Sequence, residues 1–186
     1  MQLRDKKLGS RELLAQALLL KKLLSSHGIP LVINDRIDIA MACGAEGVHL
    51  GQSDLPADKA RSLLPNDVFI GWSVESMDQV AQTAMLPVDY LGVSPVFATS
   101  TKTDTKVVWG LDGLARVRAC TPLPLVAIGG IHAGNARDVL RAGADSLAIV
   151  SALCAAADPQ AEAAILRTLC DEELSVRKYK NDQRSF

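Results

Sequence analysis

The chain has 186 residues, 48% of them hydrophobic and 22% charged, with a formal net charge of −1. That length suits one ordinary domain or one slightly incomplete larger one, and the near-neutral balance argues against nucleic acid or an anionic membrane as the main partner. The four cysteines, Cys43, Cys120, Cys154 and Cys170, are scattered without a C-x-x-C pair, which fits free thiols in a reducing compartment better than a disulfide or zinc framework.

Residues 1–4 read as the tail of a strand, followed by a helical pattern over 11–26 that Ser10 would cap, with Glu12 and Leu13 following. The apolar run at 17–20 is broken by Lys21 and Lys22 and falls far short of a membrane span. No signal peptide is visible, so a cytoplasmic protein is expected. Short runs rich in Val, Ile and Leu mark strands at 31–33, 47–50, 68–71, 90–93, 125–128 and 146–150. Most are continuous rather than alternating, as in a parallel sheet covered on both faces. Helical patterns lie at 57–64, 75–86, 111–119, 134–142 and 158–170, the last opened by Asp158-Pro159 with Glu162 in its first turns.

A weak repeat, Gly44-Ala45-Glu46-Gly47-Val48 and Gly143-Ala144-Asp145-Ser146-Leu147, ends a helix and starts a strand twice. Repeated βα units predict an α/β fold of the TIM (β/α)8 type rather than a doubly wound sheet, and no G-x-G-x-x-G opens a helix. Residues 1–170 form the expected domain. The stretch 171–186 is charged and aperiodic and reads as a disordered tail or linker remnant.

Polar residues gather at the carboxyl ends of these strands, where a barrel builds its active site: Gln2, Arg4 and Lys6, then Asn34 and Asp35, His49, Gln52 and Asp54, Ser73, and Thr99, Thr101 and Lys102. Asp35 and Asp54, on adjacent strands, offer hard oxygen ligands that with water and phosphate suit Mg²⁺. The alternatives are that Asp35 pairs with Arg36 and that Asp54 caps the helix near Leu55-Pro56. Arg4, Lys6 and Lys102 are counter-charges for a polyanion, unless Lys6 and Lys7 are simply a solvated N-terminus. Gly129-Gly130 and Val150-Ser151 end the last two strands as a phosphate site does, or Gly129-Gly130 is an ordinary βα turn. His49 reads as a core histidine or one behind the ligand contacts, and Trp72 as a pocket wall or a packing residue.

The stretches Gln2-Leu3-Arg4-Asp5-Lys6, Ile33-Asn34-Asp35-Arg36, Gly47-Val48-His49-Leu50-Gly51-Gln52-Ser53-Asp54, Thr99-Ser100-Thr101-Lys102 and Ala127-Ile128-Gly129-Gly130-Ile131 together resemble thiamine phosphate synthase. The Ile70-Gly71-Trp72-Ser73-Val74 and Asn34-Asp35-Arg36-Ile37-Asp38 stretches look more like its fungal members. The resemblance implies a transferase of thiamine biosynthesis that joins hydroxymethylpyrimidine diphosphate to hydroxyethylthiazole phosphate, releasing diphosphate. It implies that Asp35 and Asp54 hold Mg²⁺ and that Arg4, Lys6, Ser73 and Lys102 act on the departing diphosphate. Gln2, Leu3, Arg4, Asp5, Lys6, Asn34, Ser73 and Lys102 would contact the pyrimidine substrate, and Thr99, Ser100, Thr101, Gly130, Val150 and Ser151 the thiazole phosphate. The chemistry implied is dissociative and needs no protein nucleophile.

Family members begin with a strand and helix before the Gln-Leu-Arg motif, so this chain is expected to lack strand 1 and helix 1, through a misplaced start or a fragmentary gene model. A missing stave opens a hydrogen-bonded edge, and the chain alone is expected to be unstable, self-associating or weakly active. A hydroxyethylthiazole kinase domain, fused or lost, and a homo-oligomer are compatible with the resemblance. The competing readings are a phosphate-binding fragment without activity and a related thiazole tautomerase, against which both aspartates and Lys102 argue.

Overall fold

The computed structural model describes residues 1–99 and 108–183. The chain divides into two compact units, Met1–Ser73 with Gln82–Tyr90, and Val74–Ala81 with Leu91–Phe186. Both are α/β, with parallel strands joined through helices.

The first unit begins with β1 (Gln2–Leu3), α1 (Ser10–Ser25), β2 (Val32–Asn34), α2 (Ile37–Cys43), β3 (Gly47–Leu50), α3 (Ala57–Leu63) and β4 (Phe69–Val74). Its strands pair in that order, all parallel, with Asn34 opposite His49 and His49 opposite Gly71. Side chains alternate along a strand, so this register sorts the ladder into two faces. Ile33, Val48, Leu50 and Ile70 point to one face and are fully buried, sharing the core with Leu13 and Ala17 of α1 and Ile39 and Ala40 of α2. Gln2, Asn34, His49, Gly71 and Ser73 point to the other face.

The strand ends shift by one to three residues from the expected ones, as hydrogen-bonded boundaries commonly do. Two local readings change. Gly9, not Ser10, caps α1, with Glu12 accepting the Gly9 N–H at 3.3 Å, and Ser10 Oγ instead accepts from Arg36 at 2.7 Å. Helix α2 spans only seven residues, too few to display a period.

Between β4 and β5 (Tyr90–Val93) lie α4 (Met77–Gln82) and a 3₁₀ turn (Thr83–Met85). The second unit continues with α5 (Gly110–Cys120), β6 (Leu125–Ile128), α6 (Ala133–Arg141), β7 (Ser146–Ala148), α7 (Ser151–Cys154) and α8 (Pro159–Gln183). β5 pairs with β6 and β6 with β7, both parallel. Leu91, Val93, Leu125 and Ala127 are fully buried together with Leu114, Val117, Val139 and Leu140.

The segment read as a disordered tail is helical: α8 begins at Pro159, where Asp158 accepts the Ala161 N–H at 3.0 Å, and runs to Gln183. Its charges are spent on tertiary pairs rather than on a hydropathy pattern. Glu173 meets Arg137 at 2.6 Å and Arg141 at 2.9 Å. Arg177 meets Asp145 at 2.9 Å and donates to the carbonyls of Leu140 and Ala144.

The sequence repeat has a mechanical meaning. Glu46, just before β3, accepts the Leu31 N–H at 2.8 Å, Asp89 accepts that of Ile70 at 2.7 Å, and Asp145 accepts that of Leu125 at 2.9 Å. Each carboxylate thus satisfies a donor at the amino end of the preceding strand, the end a parallel βα architecture devotes to stability.

Candidate functional site

The polar face of the first unit converges on two aspartates. Asp35 follows β2 directly; its backbone takes the left-handed conformation, φ 65°, and its N–H donates to the His49 carbonyl at 2.8 Å. A non-glycine residue rarely adopts that conformation, and here it turns the carboxylate toward Asp54, which lies within side-chain hydrogen-bonding reach. Asp54 in turn is fixed by its own loop, with Oδ2 accepting the Gly51 N–H at 2.6 Å.

Burial, and after it the neighbouring Asp54 carboxylate, push the Asp35 carboxyl above its usual range, while Lys6 and Arg4 pull the other way. The Lys6 ammonium lies 3.7 Å from Asp35 Oδ2. Neither local alternative holds: Arg36 bonds Asp38 and Ser10 rather than Asp35, and α3 starts at Ala57 with Pro56 in the cap position and no side-chain cap. Lys6, although half exposed, is therefore not merely a solvated terminus.

Two carboxylates held together form a donor set that a hard divalent cation satisfies better than protein cations alone. No group of three or more His, Cys, Asp or Glu spaced for a metal occurs among the described residues. Any remaining ligands of a cation at this pair would be water and substrate oxygens, which is how Mg²⁺ is usually bound.

Behind the aspartates lies a buried polar chain. His49 Nδ1 is 2.9 Å from the Tyr90 hydroxyl, and its Nε2 is 2.8 Å from Ser73 Oγ. Gln52 Nε2 donates to the Ser73 carbonyl at 2.6 Å. Gln2 hydrogen-bonds the Tyr90 phenol, whose pKa burial pushes up to about 12. Gly71 makes room for this ring, since a Cβ there would lie 2.0 Å from Tyr90. His49 is thus the buried histidine behind the ligand contacts that its strand position suggests. Trp72 points to the opposite face of β4 from Ser73 and is buried, so packing is its role. Tyr90 escaped the sequence reading, although a glycine within β4 was a signal that something large approaches there.

Other anticipated residues have quieter placements. Asn34 ends β2 level with His49. Leu3 pairs with Ile33, its side chain on the apolar face. Asp5 accepts the N–H groups of Lys7 and Leu8 at 2.8 and 3.0 Å, which hold its carboxyl below the usual range and shape the loop before α1.

In the second unit the second candidate site is made of backbone. Gly129 and Gly130 both have positive φ, 101° and 65°, and a Cβ on Gly130 would lie 2.7 Å from Phe97 Cβ and 3.0 Å from the Ala98 carbonyl. The turn is tied down by Phe97 N–H donating to the Gly129 carbonyl at 3.1 Å and Asn135 donating to the Gly130 carbonyl at 2.9 Å. Val150 and Ser151 open α7, their side chains exposed. Thr99 ends the described part of the preceding segment, and Ser100, Thr101 and Lys102 lie outside the described residues.

The family model described as thiamine monophosphate synthase matches residues 1–153. Thiamine-phosphate synthase from Albidiferax ferrireducens is 69% identical over 170 residues, covering 91% of this chain and 78% of its own. That from Vibrio parahaemolyticus is 46% identical, with 91% and 83% covered. Among solved structures, thiamine phosphate pyrophosphorylase from Pyrococcus furiosus superposes with a TM-score of 0.85 at 35% identity, covering 93% of this chain and 83% of that one. The similarity to these bacterial sequences gives no support to the fungal likeness read from residues 70–74 and 34–38. No helix among the described residues is long and apolar enough to cross a membrane.

Proposed function

The chain belongs to the thiamine monophosphate synthase family, and from that premise we propose how its residues share the work of the reaction. It is a transferase of thiamine biosynthesis that condenses a pyrimidine with a thiazole moiety. The observation that carries the division of labour is the Asp35–Asp54 pair with Lys6 beside it.

In this reading the first unit takes hydroxymethylpyrimidine diphosphate. Asp35 and Asp54 hold Mg²⁺, which when bound supplies positive charge to the diphosphate oxygens. Arg4, Lys6 and Lys102 spread further positive charge over the group that leaves, and Asn34 and Ser73 offer it hydrogen bonds. The exocyclic C–O bond breaks with both electrons going to diphosphate. The thiazole nitrogen then donates its lone pair to the resulting pyrimidine-methyl cation, forming the new C–N bond. Stabilising charge that develops only in the transition state raises kcat rather than affinity. Such a step asks for ion holders and no nucleophile, which fits a site of carboxylates, ammonium groups and one hydroxyl.

The second unit takes the thiazole phosphate on Gly130, Val150 and Ser151, with Thr99, Ser100 and Thr101 alongside. Glycines at positive φ followed by a helix let N–H groups approach phosphate oxygens closely. The βα order of each unit supports carrying the (β/α)8 barrel into this proposal, and a cytoplasmic setting agrees with scattered free cysteines.

The test is diphosphate release with both substrates, with and without Mg²⁺, for the wild type and Asp54→Ala. Turnover should require the metal, and Asp54→Ala should lower kcat by about 10²–10³-fold. Turnover indifferent to both would reject the metal role.

A further inference from the structure

Ser73 stands at the end of a hydrogen-bonded chain whose direction can be worked out. Tyr90 Oη, His49 and Ser73 Oγ follow one another at 2.9 and 2.8 Å, and His49 and Ser73 are 4% and 7% exposed. A neutral imidazole carries one proton, so one ring nitrogen donates and the other accepts. Two arrangements satisfy every group. In one, Ser73 gives its proton to His49 Nε2 and is primed as a nucleophile. In the other, His49 Nε2–H donates to Ser73 and the serine proton is turned away from the ring.

The upstream end decides between them. Gln2 bonds the Tyr90 oxygen in the sense that favours phenolate, as an N–H donor does. With its oxygen accepting from Gln2, the phenol points its own proton at Nδ1. Burial keeps that proton on through the whole working pH range. Nδ1 must then accept, and Nε2 must carry the ring proton.

We propose that the Gln2–Tyr90–His49 relay fixes His49 as the Nε2–H tautomer and so presents Ser73 to the substrate as a hydrogen-bond donor and not as a nucleophile. Tyr90 and His49 are positioning residues, acting through Ser73. The inference rests on the reading above that Ser73 serves the diphosphate-bearing substrate. A chemistry that expels an anion needs this donor and has no use for an activated hydroxyl. Gly71 belongs to the device, because only a residue without Cβ leaves the Tyr90 ring its place.

The test begins with side-chain nitrogen NMR of histidine-labelled full-length protein at neutral pH. The His49 ring should show the Nε2–H pattern, and Tyr90→Phe should convert it to a mixed or Nδ1–H pattern. If Tyr90→Phe fails to fold, Gln2→Leu removes the same polarity from an exposed position and should have the same effect. In kinetics, Tyr90→Phe and Ser73→Ala should each lower kcat on the order of ten- to a hundredfold, and the double variant should fall no further than Ser73→Ala. A wild-type Nδ1–H ring, or losses that multiply, would overturn the relay. Failure of the site reading has a separate signature: Ser73→Ala turning over at the wild-type rate with the Nε2–H signal intact. That result overturns the use made of the serine proton, whereas a wrong tautomer in an enzyme crippled by Ser73→Ala overturns the relay alone.

Discussion

The two units prepare for anionic ligands by opposite means. In the first, side chains do it: two carboxylates, a lysine at 3.7 Å and a buried Tyr–His–Ser chain, each oriented by a neighbour. In the second, among the described residues, backbone does it, with glycines at positive φ pressed against Phe97 and Ala98. The contrast follows from the ligands proposed for each. A leaving diphosphate changes charge during the reaction, so its site needs groups that can answer that change. A phosphate that is only held asks for fixed dipoles and a close fit.

Substitutions should therefore separate the two units kinetically. The largest effect is expected from Asp54→Asn: kcat falls about 10²–10³-fold, and the thiazole phosphate KM stays near its original value. Gly130→Ala should do the reverse, raising that KM about tenfold or more with a smaller change in kcat, because the added Cβ meets Phe97 at 2.7 Å in a backbone conformation alanine avoids. Initial-rate measurements with each substrate varied decide both. An equal loss of kcat in the two variants would erase the proposed division.

The same contrast explains what could be read from the chain directly. Strands 47–50, 90–93 and 125–128 coincide with β3, β5 and β6 because apolar β-branched runs between glycine and proline signals leave little choice. The paired aspartates were legible because each stands just past a strand end. Tyr90 was not, since a tyrosine opening an apolar run looks like core, and its partners are 17 to 88 positions away in sequence. Nor was the helix beyond residue 170 legible. Its charges show no period until Arg137, Arg141 and Asp145 are in place to receive them.

That last point gives a stability test confined to the second unit. Arg177 is held by Asp145 and by the Leu140 and Ala144 carbonyls. Arg177→Ala removes charge-assisted hydrogen bonds from partly buried acceptors and should cost about 1–3 kcal/mol. Turnover per folded molecule should not change. Arg167, whose only printed partner is Asp171 one turn away on an exposed face, serves as the control, and Arg167→Ala should leave the unfolding midpoint almost unmoved. Matching losses in both variants would mean that α8 is held by its own helicity rather than by its anchor to β7.

The smallest expected effect is also the most discriminating, because its sign opposes that on activity. Burial and Asp54 raise the Asp35 carboxyl above its usual value, so the folded state binds that proton more tightly than the unfolded chain. Asp35 therefore supports the fold fully below the ordinary aspartate range, and that support is lost as pH rises through the raised folded value. At neutral pH without metal, the ionised carboxylate works against the fold. Asp35→Asn removes the charge, and asparagine tolerates the left-handed backbone at φ 65° about as well as aspartate. The variant should lose turnover yet unfold about 2–4 °C higher in metal-free neutral buffer, a gain that disappears in acid where the wild-type group is protonated. Adding Mg²⁺ should raise the wild-type midpoint and leave the variant behind, since only the paired carboxylates bind the ion. A variant less stable at neutral pH would mean that Lys6 and Arg4 already outweigh Asp54 at this site, leaving the pair no electrostatic need of a cation.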